Sequence, residues 1–331
     1  MDSRVTIPYT ITVDTEEEWD WTSGFTTESR TVSNIDGIAR FQSTCEAFGA
    51  KVTYFVNYAV LVSKRSSEII RELDRNPMAE IGLHYHPWNT PPFSKIGRIS
   101  TEESFLANLP WEVAKEKLDT LFEQFDKLGI QPKSFRGGRY STSEQIQKYL
   151  FERGIVADCS VVPYTRWNDL GAPDYTKRNH DVIRKRTGLH GDGFWEVPLT
   201  RGFTRGNWDW MANLFNYLER SPLRYLRLIG IFEKTQIVKR IWLNLEQTSA
   251  SDNCRFLQVV KARKLSAINF TLHSSSLGVG FSPYVVSEMD LARFYADLHL
   301  VLTQISNDPT FEPVTVYQLV KLLEQAYPCE S

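Results

Sequence analysis

AEIGLHYHP (79–87) starts as an alternating apolar segment and ends in two histidines, His84 and His86, two residues apart. On an extended chain, residues i and i+2 face the same way, so both imidazoles can be offered to one ion. Two of the six histidines of the chain fall within these three residues, at the mouth of a predicted strand. The same rhythm continues outward in both directions. Upstream, VTIPYTITVD (5–14) reads as a first strand and IDGIARFQSTCEAFG (35–49) as a helix with Phe41, Cys45 and Phe48 on one face, closed by Gly49. KVTYFVNYAVL (51–61) reads as a second strand, and SSEIIRELDRNP (66–77) as a helix that Pro77 ends. Downstream, residues 101–129 read as mostly helical with Gly129 as the stop, PKSFRGGRYS (132–141) as a strand and its exit loop, SEQIQKYLFERG (143–154) as a helix and IVADCSVV (155–162) as a strand. Residues 163–195 are polar and loop-like, with Pro173, Gly188, Gly191 and Gly193; FWEVPLT (194–200) resumes a strand; residues 209–248 read as a long aromatic-rich helical region. LSAINFTLH (265–273) is a strand, SEMDLARFYADLHLVLTQIS (287–306) the closing helix, and residues 311–327 a last strand and helix. Strands alternating with helices at this spacing predict parallel βαβ units, hence an α/β barrel or doubly wound sheet. The pattern runs through residues 1–331 as one expected domain, with an inserted aromatic and basic helical region at about 205–248.

Composition narrows the partners. A 42% hydrophobic content supplies a core, and 13% aromatic content suits either that core or a ring-stacking groove. A formal charge of −2 gives no basic field for nucleic acid, which is not expected as a partner. The N-terminal residues show no basic stretch followed by an apolar one, and no run reaches the roughly 18 apolar residues of a spanning helix. The cysteines Cys45, Cys159, Cys254 and Cys329 are scattered with no C-x-x-C spacing, as in a reducing compartment. A cytoplasmic location is therefore expected.

Four polar clusters sit where predicted strands end, which in parallel α/β folds is where active sites assemble. VDTEEEWDW (13–21) packs five carboxylates into seven residues; Asp14 and Glu16 are two apart and point the same way. One can bind a metal while the other serves as a base; an acidic solvated turn is the plainer alternative. The second cluster is the histidine pair, with Pro87 and Pro91-Pro92 stiffening the loop behind it. In the third, SFRGGRYS (134–141), Gly137 and Gly138 permit close backbone approach and oxyanion-facing N–H groups, and Arg136 and Arg139 can orient carboxylates. In the fourth, NFTLHSSSLG (269–278), His273 at a strand mouth is a general-acid candidate. The run Ser274–Ser276 is not read as nucleophilic, because the chain has no G-x-S-x-G elbow.

Taken in order, these clusters resemble the polysaccharide deacetylase family, carbohydrate esterases with a NodB-type homology domain. AEIGLHYHP and FTLHS are the more specific pieces, and the resemblance extends over about residues 8–320. It implies a distorted (β/α) barrel of about seven strands, a divalent metal, most often Zn2+, and removal of N-acetyl or O-acetyl groups from sugars. By position, it implies Asp14 as base, Glu16, His84 and His86 as metal ligands, Arg136 as the group orienting the base, and Asp158 as the acidic residue tuning the catalytic histidine. It further implies His273 as general acid, with Tyr140, Gly138 and Trp88 on the oxyanion and substrate side. Two departures stand out. Thr15 follows Asp14 where members often have a second aspartate, which leaves Glu16, Glu17 and Asp14 as alternative carboxylate ligands. The two histidines are two rather than four apart. The implied substrate is an acetylated sugar, glycan, or sugar carried on a lipid or nucleotide; the alternatives are a carbohydrate-binding relative with impaired chemistry and an amidohydrolase of non-sugar amides. The aromatic and basic residues of 201–243, among them Trp208, Trp210, Tyr225, Arg220, Arg224 and Arg227, also raise peripheral membrane contact, against ordinary solvated helices.

Overall fold

The computed structural model describes residues 6–19, 24–167, 170–186 and 193–327; Asp20, Trp21, Gly188, Gly191 and Cys329 lie outside the described residues. The strands are β1 (Ile7–Thr15), β2 (Val52–Val56), β3 (Ala79–Tyr85), β4 (Ser134–Gly137), β5 (Ala157–Asp158), β6 (Ile183–Arg186), β7 (Gly193–Glu196), β8 (Arg201–Phe203), β9 (Arg240–Trp242), β10 (Ile268–His273) and β11 (Phe311–Pro313). The α-helices are α1 (Ile38–Ala47), α2 (Tyr58–Val62), α3 (Lys64–Asp74), α4 (Trp111–Leu128), α5 (Glu144–Glu152), α6 (Trp208–Arg220), α7 (Leu228–Lys234), α8 (Ala250–Arg263), α9 (Glu288–Ser306) and α10 (Val316–Ala326). The main sheet runs β10-β1-β2-β3-β4-β5-β7-β6, with β11 beside the start of β1. Every pairing in it is parallel except β6 with β7. It is a curled parallel sheet wrapped by helices, the architecture of a distorted (β/α) barrel. Strands covered on both faces need continuous apolar runs, and β1 and β2 are buried almost from end to end.

The sequence pattern misplaces several boundaries for identifiable reasons. The apolar run 51–61 is not one strand: Asn57, in an extended conformation, accepts a hydrogen bond from Val60 N at 3.3 Å and caps α2. An apolar run that short does not distinguish strand from buried helix. Helix α4 starts only after Pro110, and the segment before it forms two 3-10 turns. Only Ala157–Asp158 of 155–162 pairs as strand, while the expected loop 163–195 contains β6. The expected helical stretch 209–248 breaks at Ser221 and ends in β9, which pairs antiparallel with β8. Its exposed apolar side chains include Trp210, Tyr217, Tyr225 and Leu226. Among the described residues, no helix is long and apolar enough to cross a membrane.

Candidate active site

Because the strands are parallel, their C-terminal ends gather at one edge of the sheet. Asp14 near the end of β1 lies in register with His273 at the end of β10, and His84 on β3 with Arg136 on β4. Glu16 follows β1 by one residue and His86 follows β3 by one. The four clusters separated by up to 259 positions in sequence thus converge.

Glu16 Oε2 stands 3.2 Å from His84 Nε2 and 3.1 Å from His86 Nε2, and all three residues are buried. Ligand atoms about 2.1 Å from one ion at tetrahedral angles stand roughly 3.4 Å apart; the two Glu16–His sides are close to that length and the three ligand atoms all lie within 4.8 Å of one another, so the three side chains could hold a single divalent metal. Each imidazole is oriented from behind. His84 Nδ1 donates to the Arg136 carbonyl at 2.8 Å, which turns its Nε2 lone pair toward Glu16. His86 Nδ1 faces the Glu17 carboxylate at 3.0 Å. Trp88 donates its indole N–H to Glu17 at 2.7 Å and stacks on the His86 ring at 4.0 Å, and Asn57 also donates to Glu17. Of the carboxylates left open by the sequence, Glu16 is the one within the cluster, and Glu17 stands behind His86. Burial pushes the Glu16 carboxyl up, but hydrogen bonds to the two histidines outweigh it and hold it well below the usual range. Burial likewise disfavours a charged His86, yet Glu17 and Glu16 push it up to about 10. A field that holds a proton there also attracts a cation, and the two compete.

Beside this triangle stand the acid–base candidates. Asp14 Oδ1 accepts from Arg136 Nη1 at 2.5 Å. Arg136 is fully buried and its other donors reach Thr271 at 3.0 Å, Thr12 at 2.9 Å and the Cys159 carbonyl at 3.1 Å. A guanidinium fixed at all these points cannot swing away, so it holds one oxygen of Asp14 and leaves the other toward the cavity. That other oxygen, Oδ2, is 3.8 Å from His273 Nε2. The remaining imidazole nitrogen, Nδ1, is 2.8 Å from Glu246 Oε2, and the His273 backbone N–H donates to Glu246 Oε1 at 2.8 Å. Burial pushes His273 down, but the adjacent Glu246 carboxylate, helped by Glu16 and Asp14, raises it to about 10.

Asp158 was expected to tune His273, and this is corrected here. Asp158 is buried on β5, where its carboxylate accepts from Gln147 on α5 and from Ser160 N, both at 2.8 Å, and it is not among the groups that shift His273. The carboxylate that does meet His273 is Glu246, which the helical reading of 209–248 concealed. Its only sequence signal is a carboxylate just after the short strand β9 in LNLEQ (243–247). Gly138 does not line the cavity: a Cβ there would lie 2.4 Å from His86 Cδ2 and 2.6 Å from the Tyr85 carbonyl, so it is a site of close backbone packing. Tyr140 and Trp88 do line it. Arg139 and Tyr140 both take positive φ, 53° and 59°, in the turn that aims the Tyr140 ring inward.

The cavity enclosed by these groups measures about 300 Å³, and eight of its eighteen lining residues are aromatic, including Trp19, Phe25, Trp88, Trp167, Trp242 and Tyr284. Its floor is the carboxylate and histidine cluster. A small polar floor under aromatic walls is suited to a ring-shaped ligand with one apolar face and one polar group to be processed.

No family model and no curated protein sequence matches the chain. Solved structures do. A protein from Mycobacterium smegmatis, whose assignment as a polysaccharide deacetylase is itself provisional, superposes with a TM-score of 0.60 at 14% identity, over 98% of this chain and 93% of that one. A glycoside hydrolase/deacetylase of similarly provisional assignment from Parabacteroides distasonis gives 0.59 at 14%, over 99% and 74%. An allantoinase gives 0.58 at 12%, over 99% and 93%. At such identities the similarity establishes the fold: the chain has the distorted barrel that these hydrolases share.

Proposed function

We propose that the chain is a divergent polysaccharide deacetylase, a metal-dependent hydrolase that removes an acetyl group from the nitrogen, or the oxygen, of a sugar. The observation that carries this reading is the Glu16–His84–His86 triangle beside the opposed pair Asp14 and His273 in one aromatic-walled cavity. A divalent metal held by these three side chains, zinc in this reading, supplies Lewis acidity to the acyl carbonyl and acidity to water. Asp14, oriented by Arg136, takes the proton of the attacking water as the new C–O bond forms. His273, kept protonated by Glu246, delivers a proton to the departing nitrogen as the C–N bond breaks. An amide nitrogen leaves poorly as an anion, so acid and base must flank the same carbonyl. The Tyr140 backbone N–H is assigned to the developing oxyanion, and Trp88, Trp167 and Trp242 to the sugar ring. The products are acetate and a free amine or hydroxyl.

The test is metal analysis of the purified chain together with acetate release from a panel of N- and O-acetylated sugars. Bound metal at about one per chain with acetate release supports the reading. Stoichiometric metal with hydrolysis of cyclic ureides or other non-sugar amides alone moves the protein to the amidohydrolases. Neither metal nor hydrolysis would reduce it to a binding protein. Asp14→Asn is expected to lower turnover by about 10²–10⁴-fold while leaving the metal in place; full activity would refute the base assignment.

A further inference from the structure

Behind the aromatic wall of the candidate active site lies a second cavity, about 370 Å³, into which Arg166, Arg201, Arg220 and Arg240 all face. Strand pairing puts Arg201 on β8 opposite Trp242 on β9, with the guanidinium 5.7 Å from the Trp242 ring centre. Trp242 and Trp167 line the active-site cavity on their other side. Trp167 also borders a shallow extension of the basic cavity that shares Arg166 and Arg220 with it. The two cavities are therefore neighbours across one layer of rings.

The counter-charge is incomplete. Glu219 pairs with Arg240 at 2.9 Å and Asp174 with Arg166 at 3.7 Å. Arg201 and Arg220 form no ion pair among the described residues. Arg201 donates from Nη1 to Thr165, and its Nε is buried with no hydrogen-bond partner. Burial, followed by the like charge of Arg240, pushes Arg201 down to about 9, the sign of a guanidinium short of negative charge. A buried donor without a partner costs free energy that folding alone does not recover. Two half-buried and two exposed guanidinium groups around one opening, only two of them ion-paired, leave a positive pocket that an entering anion would neutralise. Arginine's planar fork matches tetrahedral oxyanions in bidentate fashion, and several arginines exceed what one carboxylate requires.

We propose that Arg166, Arg201, Arg220 and Arg240 form a phosphate or diphosphate subsite that holds the charged carrier of the sugar while its acyl group lies at Asp14 and His273. As an anion site the cavity stands by itself; as part of a substrate site it rests on the deacetylase reading. The substrate class is then a glycosyl phosphate or diphosphate, not a neutral polymer. The carrier beyond the phosphate is a nucleoside or a lipid, which share this chemistry.

The test is calorimetric titration of the full-length, metal-stripped chain with inorganic diphosphate, since removing metal prevents chelation from reporting as binding. Wild type is expected to bind, and Arg166→Gln and Arg220→Gln, both at exposed positions, to bind about tenfold more weakly each. Absence of binding to wild type, or wild-type affinity in both variants, overturns the subsite. Glucuronate binding as tightly as diphosphate also overturns it, in favour of a carboxylate pocket. Uridine diphosphate and farnesyl diphosphate then separate the carriers: tighter binding of one names the carrier, and equal affinity for all three supports the shared diphosphate chemistry. Zinc titration of the same variants keeps the two readings apart. Zinc and acetate release retained without diphosphate binding removes only the subsite. Diphosphate binding lost in the arginine variants, in a chain that binds no zinc, supports the subsite and removes only the deacetylase.

Discussion

Replacing Glu246 by Gln removes the charge that holds His273 protonated while keeping the side chain's shape. Glu246 makes three bonds at this point: to His273 Nδ1 at 2.8 Å, to His273 N at 2.8 Å and from Ser276 Oγ at 2.7 Å. A glutamine oxygen can retain the two bonds to Oε1. Its amide group then faces Nδ1 and donates, which favours the neutral imidazole. Two unit charges about 4 Å apart interact by about 4 kcal/mol at an effective dielectric of 20, which is about three pKa units as an upper bound. Glu16 and Asp14 remain as further contributors, so the expected fall is about one to two units. A general acid works protonated, so activity is present below its pKa and lost as pH rises through it. The basic limb of the kcat profile therefore moves to lower pH in Glu246→Gln. A cation at Glu16 lowers His273 in both proteins, which makes the difference between the two limbs, not their position, the predicted quantity. At a pH one unit above the variant's limb and still below that of the wild type, turnover is expected to fall about tenfold. The assay is acetate release across pH 5–10 at saturating substrate. An unmoved basic limb in Glu246→Gln would refute the acid role of His273 or its control by Glu246.

Other substitutions examine the remaining parts. Glu17→Gln should lower zinc affinity by about 10–100-fold, because Glu17 orients His86 from behind; competition against a chromophoric chelator measures it, and an unchanged affinity removes Glu17 from the metal's support. Gly138→Ala drives a Cβ into His86 and the Tyr85 carbonyl and should weaken zinc binding and lower the melting temperature, read by the same competition and by a melting curve. Arg136→Met leaves Asp14 buried without its partner and is expected to destabilise the fold by about 3–5 kcal/mol, measured by urea unfolding. Trp167→Ala should raise KM for a sugar substrate more than it lowers kcat, since the ring stacks on Tyr140 at 5.6 Å, away from the acid–base pair.

The parts of the molecule legible in the sequence are those whose physics is local. Strand β1 announces itself by its β-branched and aromatic run alternating with threonine, α9 by its periodicity, and the end of α4 by Gly129, which takes φ +73°. The convergence of Asp14, Glu16, His84, His86, Arg136 and His273 is legible because parallel strands bring their C-terminal ends to one edge. Asp158 does not meet His273 because its carboxylate is taken by Gln147 on α5, and nothing local to ADCS shows that its side chain turns to that helix rather than to the site. Glu246 was missed because its role depends on β8 and β9, three residues each, too short to register against a helical background. The basic cavity was visible only as a list of arginines over 201–240; its convergence with Arg166 is a tertiary fact.

The two-residue histidine spacing, the sharpest departure from the family resemblance, has a physical resolution in the loops around β3. Along a strand, residues i and i+2 are separated by about 6.6 Å, and two imidazoles on the same face must lean toward each other to approach one ion. The ring centres of His84 and His86 are in fact 4.5 Å apart. His86 lies just past the end of β3, so its backbone is released from the ladder. Its ring is then confined on one side by Gly138, where no side chain could be accommodated, and on the other by the stacked Trp88. Glu17 draws Nδ1 outward, which turns Nε2 toward Glu16. Glu16, in turn, stands one residue beyond the position where an adjacent second aspartate would fall, and its longer side chain spans the added distance to both rings. The altered spacing and the altered carboxylate are thus mutually compensating, which predicts that Glu16→Asp alone, by withdrawing the carboxylate about one methylene, impairs zinc binding.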